Sequence, residues 1–237
     1  NRQKKYGSKY CKWYWSSFVY SRKFKFNLFE QNLKPYDKNL DKSKELLKKS
    51  GFYLDKKGKL FDKHGHRVEF DLYTNAGNTE REAIGVMVKQ DLEDLGMKVN
   101  FKPIEFNSLV NKLVSTYDWD MVIMGLTGSP LEPNGGKNVW LSDGRLHMFN
   151  QRSPQEGKAK ILPWEKELDY LYTQGALATK FEDRKKYYDK YQEIVYNEKP
   201  MIYIYSPIRI VALRNKLQKL FILLAWAVLL IILKKST

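Results

Sequence analysis

The sequence predicts an α/β fold, because segments with the pattern of strands alternate with segments with the pattern of helices. Three strand-like segments are "RVEFDLYT", "MKVNFKPI" and "WDMVIMGL", and a helix-like segment lies between each consecutive pair. A β-α-β-α-β order of this kind indicates an α/β lobe. Ligands of such lobes bind outside the carboxyl ends of the strands. Two loops fall there, "TNAGN" after the first strand and "TGSPLEPNGG" after the third.

The strand patterns also predict which faces are covered. Val68, Phe70 and Leu72 alternate with Glu69, Asp71 and Tyr73, which is typical of a strand with one buried face. The third strand is continuously apolar after Asp120, so we expect it to be covered on both faces. A last strand, "MIYIYSPIRIVAL", is predicted after Pro200.

Helix boundaries are predicted from capping residues. Asp41 is expected to cap a short helix, "KSKELLKKS", and Asn107 to cap another, "NSLVNKLV". Thr79 and Glu82 match the capping-box pattern T-x-x-E. The helix behind them carries one apolar stripe and is expected to end at Gly96. The stripe comprises Ile84, Met87, Val88, Leu92 and Leu95. Two longer helices are predicted around residues 164–177 and 181–197.

Most of the net charge of +15 is concentrated at the two ends of the chain. Residues 1–29 hold eight Lys or Arg and no acid, and residues 219–237 hold three and no acid. The nearly balanced middle argues against nucleic acid as a partner, in spite of the total charge. The single cysteine, Cys11, excludes an internal disulfide framework. The first residues lack the apolar segment of a secretory signal peptide.

The residues that carry chemistry do not form a catalytic, metal or cofactor site. Nucleotide-binding, nucleophile-elbow and zinc-protease motifs do not occur. His64 and His66 stand two apart without a cluster of carboxylates or cysteines, which favours an exposed hairpin over a metal site. His147 has no evident nucleophile beside it.

Three acids bracket the third strand, namely Asp118, Asp120 and Glu132. One of them could be the electrostatic partner of a ligand ammonium. The structural alternatives are a strand-end cap for Asp120 and a solvated loop for Glu132.

The two ends of the chain suggest other functions when they are considered alone. The stretch "KKYGSKYCKWYWSSFVYSRKFKF" interleaves basic and aromatic residues, as in proteins that bind single-stranded nucleic acid, but it has no period that would present the rings on one face. Residues 220–233 are wholly apolar, yet they are fewer than the about 20 of a membrane-spanning helix. A small membrane-associated protein, with Lys234 and Lys235 at the interface, is therefore an alternative function.

Several segments in order carry a family resemblance. The run "TNAGNTEREAIGVMVKQDLEDLGMKVNFKPIEFNSLVNKLVSTYDWDMVIMGLTGS" closely resembles the peptide-binding proteins of ABC transporters, the family-5 extracellular solute-binding proteins. The segments "NLKPYDKNLDKSKELLKKSGF" and "DRKKYYDKYQEIVYNEKPMIYIYSP" are similar to other parts of that family. The resemblance covers about residues 32–218 and implies a lobe of the type II periplasmic-binding-protein fold. A full member is more than twice this length, so the lobe is expected to be incomplete.

The resemblance implies a two-lobed protein, periplasmic or on the cell surface, that closes over a peptide and delivers it to a membrane permease. In many members an acid in the loop after the third strand binds the α-ammonium of the peptide. The ligand-binding residues expected here are Asn75, Thr127, Gly128, Ser129, Glu132 and Trp140. Glu132-Pro133 stands where Asp-Pro is usual, and the family also takes nickel complexes and sugars, so the ligand class stays open. An enzyme, a cofactor and a structural metal are not expected.

Residues 1–31 and 219–237 depart from the family pattern. Permitted codons for both segments, read in a shifted frame, can encode peptides that resemble the family's own sequence at those places. One such product of the tail is "IIYPTSLGSFAYNIEEIY", which is similar to the family's ending. The hypothesis is that both segments are out-of-frame products of a frameshifted gene copy or gene model. The nucleotide sequence tests it.

Overall fold

The computed structural model describes residues 33, 36–128, 133–151, 160–205 and 226–233. The first half of the chain contains helix α1 (Leu40–Lys49), the short strands β1 (Tyr53–Leu54) and β2 (Leu60–Phe61), then β3 (Glu69–Asn75), α2 (Thr79–Glu93) and β4 (Lys98–Ile104). Helix α3 (Phe106–Asn111), a π-helical turn (Lys112–Thr116) and β5 (Met121–Gly128) complete it.

The second half contains more helix. A 3-10 turn (Pro133–Gly136) leads into the short helix α4 (Lys137–Trp140), and a second 3-10 turn follows (Met148–Asn150). The long helices α5 (Pro163–Leu177) and α6 (Phe181–Glu198) then precede β6 (Met201–Tyr205) and β7 (Trp226–Leu233). Helices α5 and α6 confirm the two long helices predicted from the sequence.

The main sheet has five strands in the order β4-β3-β5-β7-β6. Strand β3 pairs in parallel with both β4 and β5, so that Leu72 lies opposite Phe101 on one side and Met121 on the other. Strands β1 and β2 form a separate antiparallel hairpin. The predicted alternation of strands and helices is therefore confirmed, and the parallel pairs place the carboxyl ends of β3 and β4 at the same edge.

The chain divides into two compact units. Unit A contains residues 36–124, with residues 148–151, 160 and 231–233. Unit B contains residues 125–128, 133–147, 161–205 and 226–230, with residue 33. Each is described below by itself, within the residues given above.

Part of the apolar tail forms a strand. Residues 226–233 are β7, which stands between β5 and β6 in the sheet order. Within the ranges described, we find no helix of the length and apolarity needed to cross a membrane. The basic aromatic stretch at the start of the chain lies outside the described residues.

The centre of unit A is the strand pair β3 and β5. Met121, Val122 and Ile123 of β5 are buried, which confirms that both faces of this strand are covered. In β3 the predicted alternation is wrong for Tyr73, which is only 5% exposed. Its hydroxyl donates to Asp71 Oδ2 at 2.9 Å, and the Lys112 ammonium lies 5.1 Å from its ring centroid. The outward face of β3 is thus covered by neighbouring side chains at Tyr73, whereas Glu69 on the same face is exposed.

The three predicted helix caps are each displaced along the chain. Asn39 caps α1 instead of Asp41, Asn78 caps α2 instead of Thr79, and Glu105 caps α3 instead of Asn107. Each of these side chains accepts a hydrogen bond from the backbone N–H three residues later, at 2.8–3.0 Å. The three displacements have one cause. Each helix begins one or two residues before the position that the sequence suggested, so an earlier residue caps it.

Helix α2 contacts the sheet through a glycine. Gly85 is the buried residue of this helix, and a Cβ atom placed on it would lie 2.3 Å from the Phe101 ring of β4. Met87, which was predicted on the apolar stripe, is 65% exposed. Gly96 has a φ of +87°, and the Met97 N–H donates to the Leu92 carbonyl, which confirms the predicted glycine at the end of the helix.

The contact between Gly85 and Phe101 predicts an unusual effect of a helix-favouring substitution. Alanine stabilises helices over glycine by about 1 kcal/mol. At Gly85 we nevertheless expect Gly85→Ala to lower the free energy of unfolding by about 1–3 kcal/mol, because the methyl group overlaps the Phe101 ring. Urea unfolding measures the change. The neighbouring substitution Val86→Ala, at an exposed position, is the control, and Phe101→Leu should restore part of the loss. A more stable Gly85→Ala protein would contradict the close packing.

Candidate functional site

The loop after β3 is held by its own side chains. The Glu82 carboxylate accepts a hydrogen bond from the Gly77 N–H at 2.8 Å, and Asn78 caps α2. Asn75 ends β3, and its Oδ1 accepts from the Arg81 guanidinium at 2.5 Å. The amide NH₂ group of Asn75 has no hydrogen-bond partner among the described residues. This loop therefore offers one oriented donor group at the carboxyl edge of the sheet in unit A.

The other predicted loop begins at the end of β5. The backbone of Thr127 and Gly128 forms the last two positions of this strand, in unit B. Ser129 and Glu132 lie outside the described residues. The structure thus brings Thr127 and Gly128 together by their adjacency in one strand. It assigns Asn75 to unit A and Trp140 to unit B.

The chain that follows this loop, residues 133–147, is named the stem segment here. It is fastened to α5 by the Asp169 carboxylate, which accepts from the Ser142 N–H at 2.8 Å and from the Ser142 hydroxyl at 2.6 Å. Asn138 folds the segment on itself, because its Oδ1 accepts from the Arg145 N–H and its carbonyl from the Leu146 N–H. The far end of the candidate loop is therefore held by hydrogen bonds on a long helix.

Trp140 contributes to the packing of the stem segment. Its side chain is 8% exposed, and its ring lies edge-on to Tyr191 of α6 with the centroids 5.3 Å apart. Gly136 permits this arrangement, since a Cβ atom there would lie 3.0 Å from the Tyr172 hydroxyl and 3.2 Å from Trp140 Cδ1. The observed contacts of Trp140 are therefore those of a core residue.

A buried histidine and glutamate join the end of the stem segment to the start of α5. His147 is 3% exposed and Glu165 is fully buried, and His147 Nε2 lies 3.1 Å from Glu165 Oε1. His147 Nδ1 lies 3.0 Å from the Val139 carbonyl oxygen, and Glu165 Oε2 accepts from the Leu162 N–H at 2.6 Å. Glu165 was not predicted from the sequence as a functional residue. The acid at the third position after Leu162, next to a Pro at the helix start, was its only sequence signal.

Two of the acids that bracket β5 have structural partners. Asp120 Oδ2 accepts a hydrogen bond from the Asp71 N–H of β3 at 2.9 Å, which agrees with the strand-end cap considered for it. The exposed Asp118 carboxylate forms an ion pair with Lys112. Both acids precede β5, whereas the candidate loops follow the carboxyl ends of β3 and β5.

Two nearby side chains of β3, Asp71 and Tyr73, have shifted pKa values. Burial opposes ionisation of Asp71, but the hydrogen bonds from Lys102 and Tyr73 prevail and hold the pKa of its carboxyl below the usual range. Burial, followed by the hydrogen bond to Asp71, raises the pKa of the Tyr73 hydroxyl. These charges fasten β3 to β4, since Lys102 Nζ lies 2.5 Å from Asp71 Oδ2.

The histidines predicted on an exposed hairpin lie on an exposed turn after β2. The rings of His64 and His66 are 6.2 Å apart, and His66 Nδ1 lies 3.1 Å from Asp62 Oδ2. Asp62 also accepts from the N–H groups of both histidines, which fixes the turn. In the described ranges there is no group of three or more His, Cys, Asp or Glu side chains that could hold a metal ion.

The α/β architecture and the two loops agree with one family of known proteins. Residues 17–147 match the family model described as "Bacterial extracellular solute-binding proteins, family 5 Middle", a range that includes both candidate loops and more than half of the chain. The chain belongs to this family. The family resemblance inferred from the sequence and the periplasmic-binding-protein type of fold are thereby confirmed.

Two individual proteins are similar in sequence to this chain. A "Probable ABC transporter-binding protein" of Deinococcus radiodurans is 34% identical over 116 residues, which are 43% of this chain and 20% of that protein. The oligopeptide-binding protein AppA of Bacillus subtilis is 25% identical over 158 residues, which are 65% of this chain and 26% of that protein. The chain thus spans about a fifth to a quarter of the length of these relatives.

A solved structure shows the same fold. The periplasmic binding protein MelB of Agrobacterium fabrum, in complex with stachyose, matches with a TM-score of 0.66 and 18% sequence identity. The match covers 87% of this chain and 29% of the other. At this identity the likeness supports the fold alone.

The attachment of the stem segment predicts an ordered series of stabilities. Asp169→Ala removes both hydrogen bonds to Ser142 and leaves a half-buried N–H without its acceptor, so we expect a loss of about 1–3 kcal/mol in the free energy of unfolding. Ser142→Ala keeps the backbone bond and should cost about 0.5–1.5 kcal/mol. Urea unfolding measures both, with the exposed Glu167→Ala on the same helix as control. Equal losses for all three variants would contradict the attachment.

Proposed function

We propose that this chain contributes the ligand-contacting loops of a protein that captures peptides for uptake through an ABC transporter. The observation that carries the proposal is the family match, because its residue range includes both loops at the ends of β3 and β5. The Bacillus subtilis relative, an oligopeptide-binding protein, supports a peptide as the ligand. The protein would bind its solute and release it unchanged, in the periplasm or at the cell surface, to a membrane permease.

Each loop has a defined role in this proposal. The NH₂ group of Asn75, oriented by Arg81, donates to a peptide carbonyl. The backbone groups of Thr127 and Gly128 at the end of β5, with those of Ser129 in the loop, pair with the peptide main chain, a mode of recognition that is independent of side-chain sequence. The Glu132 carboxylate pairs with the α-ammonium of the peptide. Trp140 acts through the core contacts that hold the stem segment in place.

Tight capture requires two facing lobes. A peptide ammonium gains most from a carboxylate when closure removes water from both groups, and removing one partner of such a buried pair costs about 2–5 kcal/mol. This chain would supply one side of this arrangement. We therefore propose weak peptide binding by this chain alone and tight binding by the two-lobed protein that contains these loops.

The experiment compares two peptides and two proteins. Calorimetry is performed on the two-lobed protein, with Glu132 or with Glu132→Ala, and with a free or an N-acetylated peptide of the same sequence. We expect Glu132→Ala to weaken binding of the free peptide at least tenfold, because the ammonium loses its partner. Acetylation should weaken binding to the unmodified protein to a similar degree and change little in the variant.

The control for charge alone is Glu167→Ala, which removes an exposed acid of α5 outside the loops. Unchanged affinity in the Glu132→Ala protein would remove Glu132 from the site. Binding of a sugar with no binding of any peptide would replace the proposed ligand class. Micromolar peptide affinity in the isolated chain would refute the need for a second lobe.

A further inference from the structure

The charges of unit A are divided unevenly along the chain. Residues 36–124 hold fifteen Lys or Arg and fifteen acids, yet residues 40–67 hold nine of the basic residues and only four of the acids. The four lysines of residues 68–124 each form an ion pair, namely Lys89, Lys98, Lys102 and Lys112. Five exposed lysines of residues 40–67 have no ion pair among the described residues, namely Lys44, Lys48, Lys56, Lys57 and Lys63. Residues 40–67 therefore carry a net charge of +5 within a stretch that has none in total.

Three of the four acids in residues 40–67 already have other partners. Asp55 and Asp62 each accept two hydrogen bonds from backbone N–H groups of their own turn, at 2.8–2.9 Å. Glu45 forms ion pairs with Lys42 and Lys49 on α1. The ammonium groups of the five unpaired lysines are thus left for an anionic partner outside this part of the chain.

The elements that carry these lysines meet at an exposed aromatic side chain. A Cβ atom placed on Gly51, directly after α1, would lie 3.4 Å from Lys63 Cβ, and one placed on Gly65 would lie 3.9 Å from the Tyr53 hydroxyl. Tyr53 is 50% exposed, and its ring stacks on Phe61 with the centroids 5.8 Å apart. Two aliphatic side chains of the same elements are also exposed, Leu46 and Leu54. The five lysines, Tyr53, Leu46 and Leu54 are named the lysine surface here.

The lysine surface lies at the end of the strands opposite to the candidate ligand loop of unit A. The Leu60 N–H donates to the Gly96 carbonyl at 2.8 Å, and the Val68 N–H donates to the Leu60 carbonyl at 3.0 Å. Val68 and Gly96 precede β3 and β4, so the β1–β2 hairpin contacts the amino ends of both strands. Strand β3 has seven residues and spans about 20 Å before Asn75 ends it. A partner bound at the lysine surface therefore leaves that loop uncovered.

We propose that the lysine surface binds the anionic surface of a lipid bilayer. Lysines attract phosphate-bearing headgroups, and an exposed tyrosine and exposed leucines suit the boundary between headgroups and acyl chains. Leucine side chains neither stack on bases nor bind phosphates, which favours a bilayer over a nucleic acid. This binding goes beyond peptide capture and does not rest on it.

The experiment is cosedimentation of the intact chain with vesicles of phosphatidylcholine alone, or of phosphatidylcholine and phosphatidylglycerol in equal parts. Each lysine close to an anionic surface raises the partition coefficient about fivefold. We therefore expect the triple variant Lys48→Ala, Lys57→Ala and Lys63→Ala to bind the phosphatidylglycerol vesicles at least tenfold more weakly. The intact chain should bind less as salt is raised from about 0.05 M to about 0.5 M.

Two further triple variants are the controls. Substitution of the same three lysines by arginine keeps the charge and should keep the binding. The variant Lys180→Ala, Lys186→Ala and Lys190→Ala removes the same charge from exposed lysines at and along α6, and we expect a loss of less than about threefold.

Three outcomes would overturn the proposal. Equal weakening in both alanine variants would assign the binding to total charge or to another part of the chain. Equal binding to both kinds of vesicle would exclude recognition of the anionic lipid. Retention on DNA at the same salt, without binding to vesicles, would replace the bilayer by a nucleic acid. None of these results bears on peptide capture, and a failure to bind peptides leaves the vesicle result unchanged.

Discussion

The parallel pairing of β3 with both β4 and β5 is the constraint on which the remaining structure of unit A depends. The register is held on one side by Lys102 and Asp71, and on the other by two hydrogen bonds. These are the Asp71 N–H to Asp120 Oδ2, and the buried Thr74 hydroxyl to the Ile123 carbonyl at 3.0 Å. A slip by one residue would exchange the faces of every side chain on β3. The carboxyl ends of β3 and β4, and the loop that carries Asn75, are positioned by this pairing.

In unit B the candidate loop is followed by the stem segment, which contains a 3-10 turn and the short helix α4. Two carboxylates on one helix hold it. Asp169 and Glu165 are four residues apart, so they lie on the same face of α5 and bind the segment at Ser142 and His147. Buried polar contacts of this kind are costly unless each group is satisfied, and for that reason they specify a single arrangement. Rigid support of a loop limits the entropy lost when a ligand binds.

Local patterns in the sequence were sufficient to predict the helices and strands, but they did not predict which side chains contact one another in the fold. The strands β3, β4 and β5 and the helices α5 and α6 were predicted, because each carries its own apolar period. Tyr73 was expected on an exposed face of β3, but Lys112, which is distant in sequence, covers it there. The caps were displaced because more than one residue that can cap a helix stands near each helix start, and the residue that caps depends on where the helix begins. Glu165 was missed because its partner stands 18 residues earlier.

The sequence by itself determined the family, the order of elements and the two loops expected to meet a ligand, since these depend on residue type, period and spacing along the chain. Only the tertiary structure decided which of the predicted site residues have structural contacts instead. It assigned Trp140 to the core contacts of the stem segment and paired Asp120 with the backbone of β3. It also brought a histidine and a glutamate together in a buried site. Such contacts join residues that are far apart in the chain, and no local pattern records them.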